Sequence, residues 1–106
     1  MNRGELWTVS GGVYAAKPRP ALIIQDDLFS ATGSVVVIPL STTVADGPIT
    51  RITIPTTTGV AQPSFAMIDK ITTVRRSNLG IQVGRVSATL MADIERSLMV
   101  FLGLAS

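Results

Sequence analysis

Hydrophobic residues along this chain fall into short runs broken by glycine, proline and hydroxyl residues, a pattern that predicts a succession of short strands. Leu6 to Val9 is the first, closed by Ser10-Gly11-Gly12. Ala21 to Gln25 is the second, opened by Pro18 and Pro20. Ser34 to Leu40 reads SVVVIPL, apolar on both faces, and is therefore expected at the centre of the sheet. Asp46-Gly47-Pro48 makes a turn, after which Arg51 to Ile54 alternates with Ile52 and Ile54 facing inward. Phe65 to Ile68 and Ile71 to Val74 continue the sheet. The 12 Thr, 11 Val and 10 Ile of the chain strengthen the strand reading, because β-branched side chains pack well on a pleated surface.

Only the C-terminal stretch changes period. Ser87 is placed to cap a helix, and Leu90, Met91, Ile94, Leu98, Phe101 and Leu102 fall within an arc of about 120° at the helical ~100° per residue. Asp93, Glu95, Arg96 and Ser97 lie outside that arc, and Gly103 is a stop signal. Met99 and Val100 lie off the stripe and face either a second subunit or the sheet edge. No repeat or linker interrupts the pattern. The expected fold is mainly β with a C-terminal helix: five to seven short strands in a strongly bent antiparallel sheet or barrel, in a single domain over residues 1–106.

Composition narrows the chemistry. A chain of 106 residues has no room for two independent cores. No apolar run approaches the ~18 residues of a membrane-spanning helix. The MNRGELW start has no secretory apolar region, so a cytoplasmic protein is expected. There is no Cys, which excludes disulfides and thiolate metal sites, and no His. A Ser-His-Asp triad, a His-based nuclease and nearly every zinc enzyme are thereby excluded. A formal charge of +2 leans weakly toward anionic partners.

Two places stand out. In Lys17-Pro18-Arg19-Pro20, two cations are held between prolines just before a strand, so Arg19 is presented by a stiff, extended backbone. A rigidly aimed guanidinium suits a phosphate, which it grips through parallel hydrogen bonds. The alternative is an arginine packed on its own sheet or paired with Asp26 or Asp27. In Pro39-Leu40-Ser41-Thr42-Thr43 the most apolar strand ends in three hydroxyls, either a functional strand end or ordinary turn chemistry. Lys70 and the pair Arg75-Arg76 read as a solvated basic face.

Taken together, several segments resemble one family. Arg3-Gly4-Glu5-Leu6-Trp7, Arg19-Pro20-Ala21-Leu22-Ile23-Ile24-Gln25, Asp26-Asp27-Leu28-Phe29 and Val37-Ile38-Pro39-Leu40-Ser41-Thr42 are similar, in order and spacing, to motifs of the MazF/PemK-like toxins of bacterial toxin–antitoxin pairs. So are Ala66 to Val74, Gly84-Arg85-Val86 and the closing Leu102-Gly103-Leu104. The resemblance implies an SH3-like β-barrel that dimerises and cleaves single-stranded RNA as an mRNA interferase. It implies Arg19 and Ser41 as the catalytic residues, with Thr42 the neighbouring candidate hydroxyl. Lys17, Tyr14, Thr42, Asp69, Lys70, Arg75 and Arg76 are the implied RNA contacts. The implied reaction is attack by the RNA's own 2′-hydroxyl, leaving a cyclic phosphate and a 5′-hydroxyl, with no metal or cofactor. Such chemistry needs mainly positioning and charge stabilisation, which the residues left by the composition can supply. The implied partner is an acidic antitoxin whose disordered tail folds on the toxin dimer.

The chain departs from the family pattern in three ways. The segment Ser10 to Lys17 is short and carries no acid, Tyr14 stands where some members have a glutamate, and Lys70 follows Asp69 where glutamine is usual. Two other functions fit a barrel of this kind: a gyrase poison, and a degenerate barrel that only binds. The gyrase poisons rely on a tryptophan near the chain end. Here the sequence closes Leu104-Ala105-Ser106, and its one tryptophan is Trp7.

Overall fold

The structure, a computed structural model, describes residues 1–11, 15–43 and 51–105. Seven strands precede one helix: β1 (Glu5–Gly11), β2 (Ala15–Ile23), β3 (Ser34–Ser41), β4 (Arg51–Ile54), β5 (Ser64–Met67), β6 (Thr72–Arg75), β7 (Leu79–Arg85) and α1 (Ala88–Phe101). All pairings are antiparallel, in the order β4-β5-β3-β2-β1-β7, with β6 also on β3. The apolar β3 is indeed central. One edge binds β2 through Val37 to Pro39; the other is shared between β6, along Ser34 to Val37, and β5, at Leu40 and Ser41. One strand serving two neighbours on a single edge bends the sheet sharply. The 3-10 turn Ile68–Lys70 fills the angle where β5 and β6 part.

Strand alternation divides the core in two. One face of the sheet buries Leu6, Leu22, Ile38, Leu40, Ile54 and Ile68 beneath Met91 and Ile94 of α1. The other buries Val9, Ala21, Ile23, Val35, Val37 and Val74, with Trp7 and Leu79 packed against them. The helix begins where expected: the Ser87 side chain accepts from the Leu90 amide at 3.1 Å. It ends at Gly103, whose φ of 75° lets the Leu104 amide reach the Met99 carbonyl at 2.8 Å. Arg3 ties α1 to the sheet through Glu95, at 2.7 Å.

Three expectations are corrected. The barrel is not closed: among the described residues, strand pairing ends at β4 on one side and β7 on the other. The turn after β4 instead packs backbone against backbone on β7, where a Cβ at Gly84 would collide with the Thr58 carbonyl oxygen. Strand β7 itself was not expected. Its glycines and exposed Ile81 blur the alternation that marks a strand. Finally, Phe101 and Leu102 belong to the apolar arc by periodicity yet are 41% and 49% exposed, because α1 runs past the sheet that covers its first turns. The turn expected at Asp46-Gly47-Pro48 lies outside the described residues.

Candidate active site

The β2–β3 ladder stops at Ala21 opposite Pro39. Proline donates no amide hydrogen, and Pro20 and Pro18, at the alternate positions that follow Leu22 toward β3, remove the β2 donors that would carry the pairing further. Continued by two residues, the same register sets Arg19 across from Ser41. Side chains at alternate positions share a face, so Ser41 lies on the side of β3 that carries Val35, Val37 and Pro39. On β2, Arg19 likewise follows Ala21 and Ile23, and it stands opposite the buried Val9 of β1. The second core cluster thus ends, at this end of the sheet, in a cation and a hydroxyl.

A cavity of about 310 Å³ opens at the same place, lined by Arg19, Pro39, Leu40, Met67, Lys70 and the stretch Thr72 to Val74. Its floor is apolar, and its cations are Arg19 and Lys70. Neither makes an ion pair or side-chain hydrogen bond among the described residues. The alternative reading of Arg19, as partner of Asp26 or Asp27, fails because both acids are engaged elsewhere. Asp26 accepts from the Leu28 amide at 2.9 Å and Asp27 from the Arg3 amide at 2.7 Å.

Ser41 does part of what turn chemistry required. Its Oγ accepts from the Thr43 amide at 3.1 Å. That bond uses the hydroxyl as acceptor and holds its rotamer, leaving the O–H to donate to something outside the strand. A half-buried hydroxyl fixed in this way is a ready donor to a phosphoryl oxygen. Thr42 is exposed beside it.

The remaining expected residues divide. Lys17 is exposed two positions before Arg19, on the same side of β2. Lys70 lines the cavity. Asp69 does not; its Oδ1 lies 3.7 Å from Arg51, joining β4 to the Ile68–Lys70 turn, and is buried without a hydrogen bond. Arg75 and Arg76 are not brought to the site. Arg75 is registered with Ser34 at the opposite end of β3, seven residue steps or about 24 Å from Ser41. There the Arg76 guanidinium donates to the Thr32 carbonyl at 2.7 Å. Tyr14 lies outside the described residues. Sequence reasoning missed Met67, Thr72 and Thr73 as lining residues. Their nearness to Lys70 in the chain was the available signal.

Among the described residues one acid is shifted, and it is structural. Glu5 is held below the ordinary carboxylate range chiefly by the Asn2 amide, which donates to it at 2.8 Å. Burial opposes this, while Trp7 Nε1 at 3.0 Å, the N-terminal amine and Arg85 reinforce it. Among the described residues no group of three acids gathers where it would hold a cation.

The sequence profile of the PemK-like, MazF-like toxins of type II toxin–antitoxin systems matches residues 2–102. The chain belongs to this family. It is 51% identical to a probable endoribonuclease MazF of Mycolicibacterium smegmatis, over 99% of both chains. It is 31% identical to endoribonuclease MazF9 of Mycobacterium tuberculosis, over 100% of this chain and 99% of that one. Among solved structures, a mycobacterial endoribonuclease in complex with its cognate antitoxin superposes with a TM-score of 0.85 at 25% identity, covering 100% of this chain and 98% of that one. The bent seven-stranded sheet with one C-terminal helix is therefore the MazF toxin fold.

Proposed function

We propose that this chain is the toxin of a toxin–antitoxin pair, a sequence-specific endoribonuclease that cleaves single-stranded RNA without a metal. The observation that carries the reading is an Arg19 unpaired among the described residues, beside a cavity lined by a second cation, at the strand end where the β2–β3 register, continued past its last pair, sets Ser41 across from it. Family membership supports it.

In the proposed reaction the RNA's 2′-oxygen bonds to the adjacent phosphorus, and the bond from phosphorus to the 5′-oxygen breaks. The 2′-hydroxyl proton is lost and the departing 5′-oxygen gains one, leaving a cyclic phosphate and a 5′-hydroxyl. Arg19 stabilises the charge that grows on the phosphoryl oxygens, and Ser41 donates its free O–H to one of them. Lys17 and Thr42 track the flanking backbone, and Lys70 meets the RNA inside the cavity. Asp69 acts from a distance, by anchoring the turn that carries Lys70. The test is incubation of the purified protein with a long single-stranded RNA in EDTA, with the new ends analysed by mass. Discrete fragments ending in cyclic phosphate support the reading; intact RNA, or 5′-phosphate ends, defeats it.

The working unit is a cytoplasmic homodimer. Met99, Val100, Phe101, Leu102 and Leu104 are 41–70% exposed at one end of α1, an apolar surface suited to a second copy. Val100→Asp should convert dimer to monomer in light scattering. The cognate antitoxin is acidic, and its tail folds over the cations that hold RNA, namely Lys17, Arg19 and Lys70. RNA and antitoxin then compete. Addition of the antitoxin tail to protein carrying a non-cleavable RNA should release the RNA, whereas a ternary complex with unchanged RNA affinity would exclude this overlap.

A further inference from the structure

We infer that the cavity beside Arg19 holds the base next to the cleaved phosphate and selects a keto base, uracil or guanine, through Lys70. The inference rests on the ribonuclease reading and specifies its substrate. The cavity's walls are the starting point. Pro39, Leu40 and Met67 form an apolar floor, Thr72 and Thr73 a hydroxyl rim, and Arg19 and Lys70 are its cations. At about 310 Å³ it is on the scale of a small-molecule site rather than of folded RNA. Arg19 is committed to the phosphate, so Lys70 is the charge left to meet the base.

The donor count gives the selectivity. An ammonium has three donors and no acceptor, whereas a threonine hydroxyl can serve as either. Among the described residues no carboxylate or amide side chain lines the cavity. Asp69, the acid next to Lys70 in the chain, is turned to Arg51 instead. A base carbonyl, O4 of uracil or O6 of guanine, satisfies Lys70. The N4 amine of cytosine or the N6 amine of adenine would set donor against donor. Among the described residues no aromatic side chain lines the cavity to stack a base indiscriminately, so its edge decides. Met67 offers the polarisable contact to the ring face. The family's more usual glutamine, with both a donor and an acceptor on its amide, could not discriminate in this way.

The sharpest test compares uridine with cytidine, which differ in the group at position 4. Short 2′-O-methyl oligouridine and oligocytidine bind without being cleaved. The wild-type protein should prefer oligouridine by about tenfold, the scale of a good base-edge contact. Lys70→Gln should bring the two affinities together, and Lys70→Glu should reverse the order. Equal affinities in the wild type, or a preference that survives Lys70→Gln, would overturn the assignment. Mapping cuts on a long transcript separates this inference from the reading beneath it. Cuts flanked by A or C at the fixed position, unaltered in Lys70→Gln, refute the base selection alone. An absence of cuts refutes the ribonuclease reading, whatever the oligonucleotides bind.

Discussion

The two ends of β3 carry similar residues in opposite circumstances. At the Ser34 end, Arg75 and Arg76 neighbour a loop whose polar groups are bound to one another. Arg76 is spent on the Thr32 carbonyl, while Gln25 holds the Phe29 carbonyl and the Thr32 hydroxyl at 3.0 Å. At the Ser41 end, Arg19 and Lys70 face a cavity with no acid or carbonyl partner among the described residues. Both ends are basic, and Arg75 too lacks a side-chain partner among the described residues, but it is at the Ser41 end that unpaired cations face a cavity together. A guanidinium already bonded to its own backbone closes a loop, whereas one held rigid and left unpaired is available to a phosphate. Proline makes the difference at the second end, because it stops the ladder without letting the chain relax.

Exchanging the fates of the two arginines breaks this comparison most severely. Arg19→Ala should lower RNA cleavage by roughly 10²–10³-fold, the cost of removing one oriented donor from developing charge. Its melting temperature should stay near that of the wild type, since Arg19 is exposed. Arg76→Ala should show the reverse: cleavage retained, and stability lowered by about 1 kcal/mol in a denaturant titration through the lost bond to Thr32. Ser41→Ala should slow cleavage by a smaller factor, on the order of tenfold for one neutral donor. Ser41→Thr should retain activity. Normal cleavage by Ser41→Ala would return the hydroxyl to turn chemistry and make Thr42 the next candidate.

Stability away from the site should depend on Glu5. Its carboxyl is depressed in the folded state, so its contribution is complete above the ordinary carboxylate range. It disappears as pH falls through the depressed folded value. Glu5→Gln should cost about 1–3 kcal/mol at neutral pH, the range for a buried charged hydrogen-bonding group. It should also flatten the acid limb of the stability curve, and a variant that kept that limb would move the acid sensitivity elsewhere.

The smallest expected effect separates the two ends by salt. Lys17→Ala should reduce the slope of RNA affinity against salt by about 0.7, one single-strand phosphate contact. Arg75→Ala should leave the slope unchanged. An equal loss from Arg75 would extend the RNA track along the whole of β3 and erase the contrast drawn here.

Much of the architecture was legible from the chain. Six of the seven strands and the helix announce themselves through β-branched runs, turn residues, the Ser87 cap and the Gly103 stop. Strand β7 does not. Gly80 and Gly84 are there for close approach to Thr8 and to Thr58, a requirement set by partners distant in sequence. The site was legible as residue types but not as an arrangement. The stiffness of Arg19 follows from its flanking prolines, yet its position across from Ser41 is a matter of register between strands. Likewise nothing local marks Arg76 as occupied, because Thr32 lies 44 residues away in the chain. Three cations in the stretch from Lys70 to Arg76 therefore looked like one basic face, which the sheet divides.

The central claim is that the Arg19 guanidinium supplies charge at the reacting phosphate, and chemical rescue tests it most directly. Single-turnover cleavage by Arg19→Ala is measured in EDTA with and without added guanidinium ion, at constant ionic strength. The variant should be nearly silent alone and partly restored by guanidinium in proportion to its concentration, with no response to the same amount of sodium chloride. Near wild-type cleavage by the folded variant before any addition, or equal restoration by sodium chloride, would contradict the claim.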